Sequence, residues 1–267
     1  MSTSGVQPDP VQLQTAPNTS PTEPAAKTGV LHTIQALLYI IVIAIFIITF
    51  TVQPFRIPSA SMEPTLLVGD FLLVTKESPS TDTSNGVFAP DHIHRGDIII
   101  FYYPINPSMH LVKRVVGIPG DHLKLRGGHV YINDKPLSES YAVYRPTPPD
   151  NFRDNFPRMQ SADPTIDSRW WIRMRNLIDD GELIIPAGNY FVLGDNRNDS
   201  EDSRYWGFVP RADIVGKPLI IYFSLREISD DPLAVPVDSI VPAGHRPSAF
   251  DLLTSFARWG RTFQIVR

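Results

Sequence analysis

Two hydroxyl side chains, Ser59 and Ser61, lie two residues apart just after a long apolar run. Ser61 is the candidate nucleophile. A serine hydroxyl reacts poorly at neutral pH, so it needs a base within hydrogen-bond reach. The sequence contains neither a Gly-x-Ser-x-Gly elbow nor a His-Glu-x-x-His motif. The base must therefore come from a residue outside the commonest catalytic patterns.

Lys113 is the best candidate for this base. It lies in a β-branched run over residues 110–118 that leads into a Pro-Gly turn, which is typical of a strand. Strand alternation puts Leu111, Lys113 and Val115 on one face. From a reference pKa of about 10.4, a neutral amine at pH 7 costs about 4.6 kcal/mol, and burial shifts of about 3 to 5 units remove this cost.

Each signal is weak alone, because most serines after proline are turn residues and most strand lysines are solvated. A third stretch, residues 194–210, is dense in short polar side chains and then aromatic ones. In this order the stretches resemble the boxes of the bacterial type I signal peptidases, Ser/Lys endopeptidases of the S26 family. The matching boxes are 61–66, 95–99, 113–121 and 194–207. The resemblance extends from about residue 55 to about residue 223.

The resemblance implies roles for particular residues. Ser61 would attack the carbonyl after the small residue that ends a signal peptide, Lys113 would take its proton, and an acyl-enzyme would form. Ser59 and the Ser61 backbone N–H would form the oxyanion hole, and Ser200 would orient the lysine. Ion pairs would stabilise the site through Arg114 with Asp195 and Arg204 with Asp202. Shallow pockets selecting Ala-x-Ala ends would be lined by Phe55, Ile57, Pro58 and Val112.

One position departs from the family pattern. Ala60 stands where many bacterial members carry glycine, and a positive φ there would strain an alanine.

No metal or cofactor is predicted. The stretch from Asp195 to Asp202 is a poor calcium loop, because Arg197 occupies a ligand position and the required glycine is missing. His92 and His94 have metal-like spacing without a third ligand nearby. His110 falls on the strand face opposite Lys113.

The expected fold is mainly β, an antiparallel β-sheet catalytic domain with a smaller β cap insertion, preceded by one transmembrane helix. Few amphipathic helices separate the strand candidates, which favours antiparallel structure. Gly127-Gly128 and Asn133-Asp134 predict hairpin turns. The strand candidates are 66–74, 97–103, 111–118, 122–125, 129–133, 183–185, 190–193 and 214–223.

The predicted domains follow composition. Residues 1–30 form a Pro-rich disordered tail, which the resemblance places in the cytoplasm. Residues 31–52 form the transmembrane helix, because about 20 apolar helical residues cross a bilayer. Residues 53–267 form the catalytic domain, with the cap at about 122–188. Residues 76–92 are predicted to be a surface loop. Residues 136–180 lack periodicity.

Near the C-terminus, residues 249–261 show a helical apolar pattern with Arg258 and Arg261. This segment either lies on the bilayer as an interfacial helix or packs on the β domain, and packing is favoured slightly.

A cleavable signal peptide is the competing interpretation of the apolar run. The run is too long, and Lys27 is the only basic residue before it. The resemblance implies a single-pass protein of the inner (plasma) membrane with its catalytic domain on the periplasmic or extracytoplasmic side.

The partners expected are signal peptides of preproteins and membrane lipid, for a protein that acts as a monomer. The net charge of −4 and the lack of a basic stripe argue against nucleic acid. With no cysteine, disulfides and thiol nucleophiles are excluded. Self-cleaving repressors of the LexA type share the Ser/Lys pair but carry a DNA-binding domain in place of the apolar run. Two alternatives remain: a membrane-tethered β domain that only binds polypeptides, and a mitochondrial relative with the same chemistry.

Overall fold

A computed structural model describes residues 29–50, 52–75, 93–158, 164–226 and 256–267. The predicted tail lies outside these residues apart from its last two positions. The predicted loop at 76–92 and the first part of the C-terminal segment, 249–255, also lie outside them.

The chain divides into two compact units, Met1–Ala44 and Ile45–Arg267. Helix α1, Val30–Phe50, spans 21 residues. Its side chains at positions 32–46 are exposed and mostly apolar. Over the described residues, no helix combines the length and the apolar character that crossing a membrane requires. The predicted transmembrane segment, residues 31–52, is helical as far as Phe50, whereas Val52 already belongs to a strand. Its membrane crossing stays a prediction.

The second unit is built from short antiparallel strands, which confirms the mainly β expectation. In chain order the described strands are β1 (Val52–Arg56), β2 (Asp70–Thr75), β3 (Ile98–Tyr102), β4 (His110–Gly117), β5 (His122–Arg126), β6 (His129–Ile132), β7 (Lys135–Pro136), β8 (Ile178–Asp179), β9 (Glu182–Ile184), β10 (Asn189–Leu193), β11 (Val209–Pro210), β12 (Ile214–Gly216), β13 (Pro218–Ser224) and β14 (Gln264–Ile265). They form three sheets, ordered β1-β2-β13-β14, β11-β10-β4-β3-β12 and β7-β6-β5-β9-β8.

The middle sheet is buried on both faces, which explains the unbroken apolar sequence of β3. Ile98 and Ile100 of β3 pack into one core with Ile57 and Leu72. Ile99 and Phe101, which point the other way, pack into a second core with Trp206. Because side chains alternate along a strand, a strand between two cores needs apolar residues at every position. This sheet supplies the rigid support for Lys113.

The predicted face of β4 is confirmed. Leu111 and Val115 pack against the same core as Phe101, whereas Val112 packs against the core on the other side. The Lys113 side chain therefore lies on the same face of β4 as two aliphatic neighbours, as the alternation predicts.

The third sheet and two short helices occupy most of the region predicted as the cap, residues 122–188. Helices α2 (Asn151–Asp154) and α3 (Ser168–Arg175) are capped at their N-termini by Asp150 and Asp167. The carboxylates of these two residues accept hydrogen bonds from backbone N–H groups of the first turn. Each helix buries apolar side chains against the sheet, for example Phe152 and Trp170. The sequence shows no periodicity here because helices this short repeat the pattern at most twice.

Both predicted hairpin turns are confirmed. Gly127 and Gly128 have φ values of 55° and 82°, and Asn133 and Asp134 have φ values of 51° and 63°. These left-handed conformations match two-residue hairpin loops between β5, β6 and β7.

Two strand predictions need correction, and several strands, β1 among them, were not predicted. The run at 214–223 is two strands, because β12 pairs with β3 while β13 pairs with β2 in another sheet. The run at 66–74 becomes strand only at Asp70, after a turn with Gly69 at φ 88°. Strand β1 was not predicted, since it follows an apolar helix and contains Pro54, which sequence rules confine to sheet edges.

The predicted helix at 249–261 is wrong in its described part, residues 256–261. A bridge joins Ala257 to Leu225, a 3-10 turn covers Trp259–Arg261, and β14 pairs with β13. Arg261 donates hydrogen bonds to both carboxylate oxygens of buried Asp70. These non-local contacts override the local helical pattern, and they agree with the favoured alternative of packing on the β domain.

Candidate active site

Ser61 lies in a 3-10 turn, Ala60–Met62, that precedes β2. Ser61 itself is 8% exposed. The loop is closed at its base because the backbone of Ile57 hydrogen-bonds to Asp70 and Gly69. The backbone N–H of Asn196 donates to the Ser61 carbonyl at 3.1 Å. The hydroxyl therefore projects from a turn that is fixed on both sides.

Ala60 does not have a positive φ, since the described non-glycine residues with that conformation are Asn133, Asp134, Asp180 and Phe263. The alanine is therefore accommodated where many family members carry glycine.

Lys113 is 4% exposed and lies at the middle of β4, paired with Ile99 of β3. Its Nζ atom donates a hydrogen bond to Ser61 Oγ at 2.5 Å, across 52 residues of sequence. The structure thus brings together the two residues that the sequence analysis selected as nucleophile and base.

Burial lowers the pKa of Lys113 from 10.5 to about 8. The charge of Asp202 opposes this shift, and Arg204 adds to it. At pH 7, deprotonation then costs about 1.4 kcal/mol instead of about 4.8 kcal/mol for an unshifted amine. A lysine in this site can therefore supply a neutral amine near neutral pH.

Ser59 is exposed and its Oγ lies 3.3 Å from Ser61 Oγ. Its hydroxyl therefore lies beside the candidate nucleophile, on the solvent side of the turn.

Two buried ion pairs form as predicted. Arg114 Nε and Nη2 each donate to one oxygen of Asp195 at 2.8 Å, and Arg204 does the same to Asp202. Asp195 also accepts from the Thr65 hydroxyl at 2.6 Å, which ties the pair to the Ser61 loop. Burial acts to raise the pKa of Asp202, but Arg204 holds that pKa below its usual range.

Ser200 is the residue expected to orient Lys113. Its hydroxyl is buried, and among the described residues it has no hydrogen bond to Lys113. It lies close enough to Asp202 to help lower the pKa of that carboxyl. The lysine-orienting role of Ser200 stays a prediction.

The four predicted pocket residues are placed differently from one another. Phe55 and Val112 are partly buried against the core beneath β1, and Pro58 is exposed. Ile57 is only 2% exposed and belongs to that core. Its role as a pocket wall stays a prediction.

Sequence reasoning missed several residues of the site. Asn196 holds the backbone of the Ser61 turn, and its side chain donates to the Ala60 carbonyl at 3.3 Å. Glu139 and Tyr141 also reach this region, from a segment without periodicity. No local signal marks Glu139 and Tyr141, since only the folded chain brings them to the box residues. Asn196 lies within the box at 194–207, but sequence reasoning assigned it no role of its own.

Gly194 is required by close packing beside Ser61. A Cβ there would lie 2.4 Å from the Ser61 carbonyl oxygen and 2.3 Å from Ser200 Oγ. We expect Gly194→Ala to displace the Ser61 turn and to lower the cleavage rate about 10- to 100-fold, since displacements of about 1 Å have effects of this size. Steady-state cleavage of a preprotein checks this result.

The control for that variant is Gly260→Ala, because a Cβ at Gly260 meets no atom within 4 Å. A Gly194→Ala protein with the wild-type rate would contradict the close approach.

Among the described residues, no group of three or more His, Asp or Glu side chains could hold a metal ion. The Nδ1 atom of His94 lies 3.8 Å from Oδ2 of Asp97, whereas His92 lies outside the described residues.

Comparison with known proteins identifies the family. A model of the signal peptidase family, peptidase S26, matches residues 30–223. The signal peptidase I of Pseudomonas fluorescens is 35% identical over 204 residues, covering 70% of each chain. That of Pseudomonas aeruginosa is 35% identical over 201 residues, covering 69% of each chain. A crystal structure of a signal peptidase I from Enterococcus faecalis V583 is 34% identical and covers 48% of this chain and 97% of its own, with a TM-score of 0.35.

The chain therefore belongs to the S26 family of signal peptidases, as a serine endopeptidase of the signal peptidase I type. Its substrates are the signal peptides of preproteins.

Proposed function

We propose that the chain cleaves signal peptides with a Ser61/Lys113 dyad, after small residues of an Ala-x-Ala end. The observation that carries the proposal is the hydrogen bond between Lys113 Nζ and Ser61 Oγ, made between two buried groups. A buried lysine with a lowered pKa beside a serine hydroxyl is a suitable arrangement for activating that hydroxyl.

In the proposed mechanism, the neutral amine of Lys113 takes the Ser61 proton as Oγ bonds to the scissile carbonyl carbon. The ammonium then gives this proton to the departing amine of the mature protein, which leaves an acyl-enzyme. The same amine next deprotonates a water that attacks the ester, and the signal peptide is released with a new carboxylate. Ser61 Oγ recovers the proton at the end of the cycle.

The oxyanion of each tetrahedral intermediate would be received by the Ser59 hydroxyl and the Ser61 backbone N–H. The 3.3 Å separation of the two serine oxygens supports this placement of Ser59. Removing one such donor typically costs about 2.7 to 4 kcal/mol of transition-state stabilisation.

Specificity for small residues would come from shallow apolar surface near Phe55, Pro58 and Val112. One extra methylene in such a pocket changes binding by about 1 to 3 kcal/mol, so the preference is strong without being absolute.

We propose further that α1 anchors the enzyme in the membrane, with a monomeric catalytic domain on the extracytoplasmic side. The exposed large apolar side chains of α1, from Ile34 to Phe46, support this proposal, because water does not favour so many of them on one helix. Extraction of cell membranes at alkaline pH tests it: an anchored chain stays in the pellet, and release into the supernatant would refute the anchor.

Cleavage of a model preprotein by the detergent-solubilised full chain tests the dyad. The wild type should cut after an Ala-x-Ala end and should cut the same preprotein poorly when leucine replaces the last alanine. Ser61→Ala should be inactive, while Ser108→Ala, which changes an exposed serine, should be normal. Cleavage by Ser61→Ala at the wild-type rate would refute the proposal.

The pH dependence of the wild type should report Lys113. Because the reaction needs the neutral amine, kcat/KM should rise about tenfold per pH unit below the pKa and level off above about 8. Measurement of kcat/KM between pH 5.5 and 9.5 gives this rising part of the profile, its acid limb. Circular dichroism over the same range controls for unfolding, and a flat profile between pH 6 and 8 would contradict the assignment.

A further inference from the structure

The segment from Glu139 to Arg145, called the strap below, joins β7 to α2 and lies against the candidate active site. Glu139 is paired with Arg197, and both side chains are buried, at 5% and 2% exposure. Arg197 Nη1 donates to Glu139 Oε2 at 2.7 Å, and Nη2 donates to Oε1 at 2.5 Å. Bidentate pairs of this kind fix geometry as well as charge.

Tyr141 connects the strap to the strand that carries Lys113. Its ring centroid lies 4.0 Å from the guanidinium carbon of Arg114, the residue after Lys113 in β4. Its hydroxyl donates to Glu139 Oε1 at 3.1 Å. Since burial raises the pKa of the Tyr141 hydroxyl, the group remains a donor.

Backbone hydrogen bonds join the strap to the loop at 194–204. The Val143 N–H donates to the Asp195 carbonyl at 2.8 Å, and the Arg197 N–H donates to the Val143 carbonyl at 3.0 Å. Arg145 also forms an ion pair with Glu63, two residues after Ser61. The strap therefore contacts the Ser61 loop, β4 and the last box of the family.

The contacts continue from the strap to the backbone of Ser61 and to the charged groups that act on Lys113. Arg204 Nη2 donates to the Arg197 carbonyl at 2.9 Å, and Arg204 in turn holds Asp202, whose charge acts on Lys113. On the other side, Asn196 holds the Ser61 carbonyl. A shift of the loop at 194–204 would therefore move the surroundings of Ser61 and Lys113 together.

We propose that Glu139 and Tyr141 are positioning residues, which keep Ser61 and Lys113 aligned by holding Arg197 and Arg114 through the strap. The inference rests on the proposed function of the dyad. It assigns to the cap insertion a part in the reaction that the family motifs do not contain.

Steady-state kinetics of the detergent-solubilised full chain test the strap with Glu139→Gln and Tyr141→Leu. We expect kcat to fall about 10- to 100-fold in each, with KM changed less than about twofold, because alignment is lost while the substrate surface remains. Tyr141→Phe keeps the ring on Arg114 and should retain most of kcat.

The matched control is Glu182→Gln in β9. This glutamate is also nearly buried and lies 2.8 Å from Lys124 Nζ, in the cap sheet. The Glu182→Gln variant should leave kcat unchanged, although it too removes one charge of an ion pair.

The pH profile separates positioning from simple loss of stability. Asp202, Arg204, Glu201 and Asp195 are the charged groups that act on Lys113, and the strap variants keep all four. Looser packing would admit water beside the amine and move the acid limb of kcat/KM to higher pH by about half a unit or more.

A fall in kcat that matches the unfolded fraction, with the acid limb unmoved, would overturn the positioning role. Unchanged kcat in both strap variants would overturn it as well. Cleavage by Ser61→Ala would instead refute the dyad itself, so the two failures are distinguishable.

Discussion

Replacing Lys113 with methionine is expected to lower preprotein cleavage by about 10³- to 10⁴-fold while the catalytic domain stays folded. The methionine fills nearly the same volume but cannot accept the Ser61 proton, and general-base catalysis accounts for effects of this size. Because Lys113 and Ser61 act as a unit, the double variant with Ser61→Ala should be scarcely slower than either single variant. Single-turnover cleavage of a preprotein measures all three.

The same variant should be more stable than the wild type at neutral pH. Burial lowers the pKa of Lys113 from 10.5 to about 8, so the folded state resists binding the proton that the unfolded state holds. This disfavours folding by about 3 kcal/mol below pH 8, and the penalty vanishes as the pH rises from about 8 to 10.5. Loss of the hydrogen bond to Ser61 offsets about 1 kcal/mol of the gain.

Urea unfolding at pH 7 and pH 10 measures this effect. The advantage of Lys113→Met should be larger at pH 7, because only there does the wild type bury a charged amine. Ser108→Ala serves as the control, since its site is exposed. A methionine variant that cleaves preprotein at more than a tenth of the wild-type rate would exclude Lys113 as the base.

Arg114→Met is expected to destabilise the domain by about 3 to 5 kcal/mol. The substitution leaves Asp195 as an unpaired charge with no exposed surface, and breaking a buried ion pair from one side has a cost of this size. It also removes the hydrogen bond from Arg114 to the Gly96 carbonyl at 2.7 Å. Thermal unfolding should show a decrease in Tm of about 6 to 20 °C for a domain of this length.

A double variant, Arg114→Met with Asp195→Asn, should recover much of this loss because no buried charge remains. Asp134→Asn is the matched control: Asp134 pairs with Lys124 but is largely exposed, so its Tm should not change measurably. If Arg114→Met melted at the wild-type temperature, the pair with Asp195 would not stabilise the fold.

Much of the fold was predictable because the relevant signals are local. The Asn133-Asp134 turn and the apolar run of β3 each reflect an energetic preference of a few neighbouring residues, and both were predicted. Strand β1 and the C-terminal segment were not, because their structure depends on partners elsewhere in the chain. Pro54 is tolerated in an edge strand, and Arg258 and Arg261 turn towards Asp70.

The candidate site was likewise predictable only where the signals are local. The sequence by itself determined the family and selected Ser61 and Lys113 as the candidate nucleophile and base, since residue types and their order along the chain carry that information. Only the tertiary structure decided which groups hold these side chains. Glu139 and Tyr141 come from a segment without pattern, and they reach the site through contacts with Arg197 and Arg114. Packing and long-range ion pairs depend on three-dimensional proximity, which the spacing of residues along the chain does not encode.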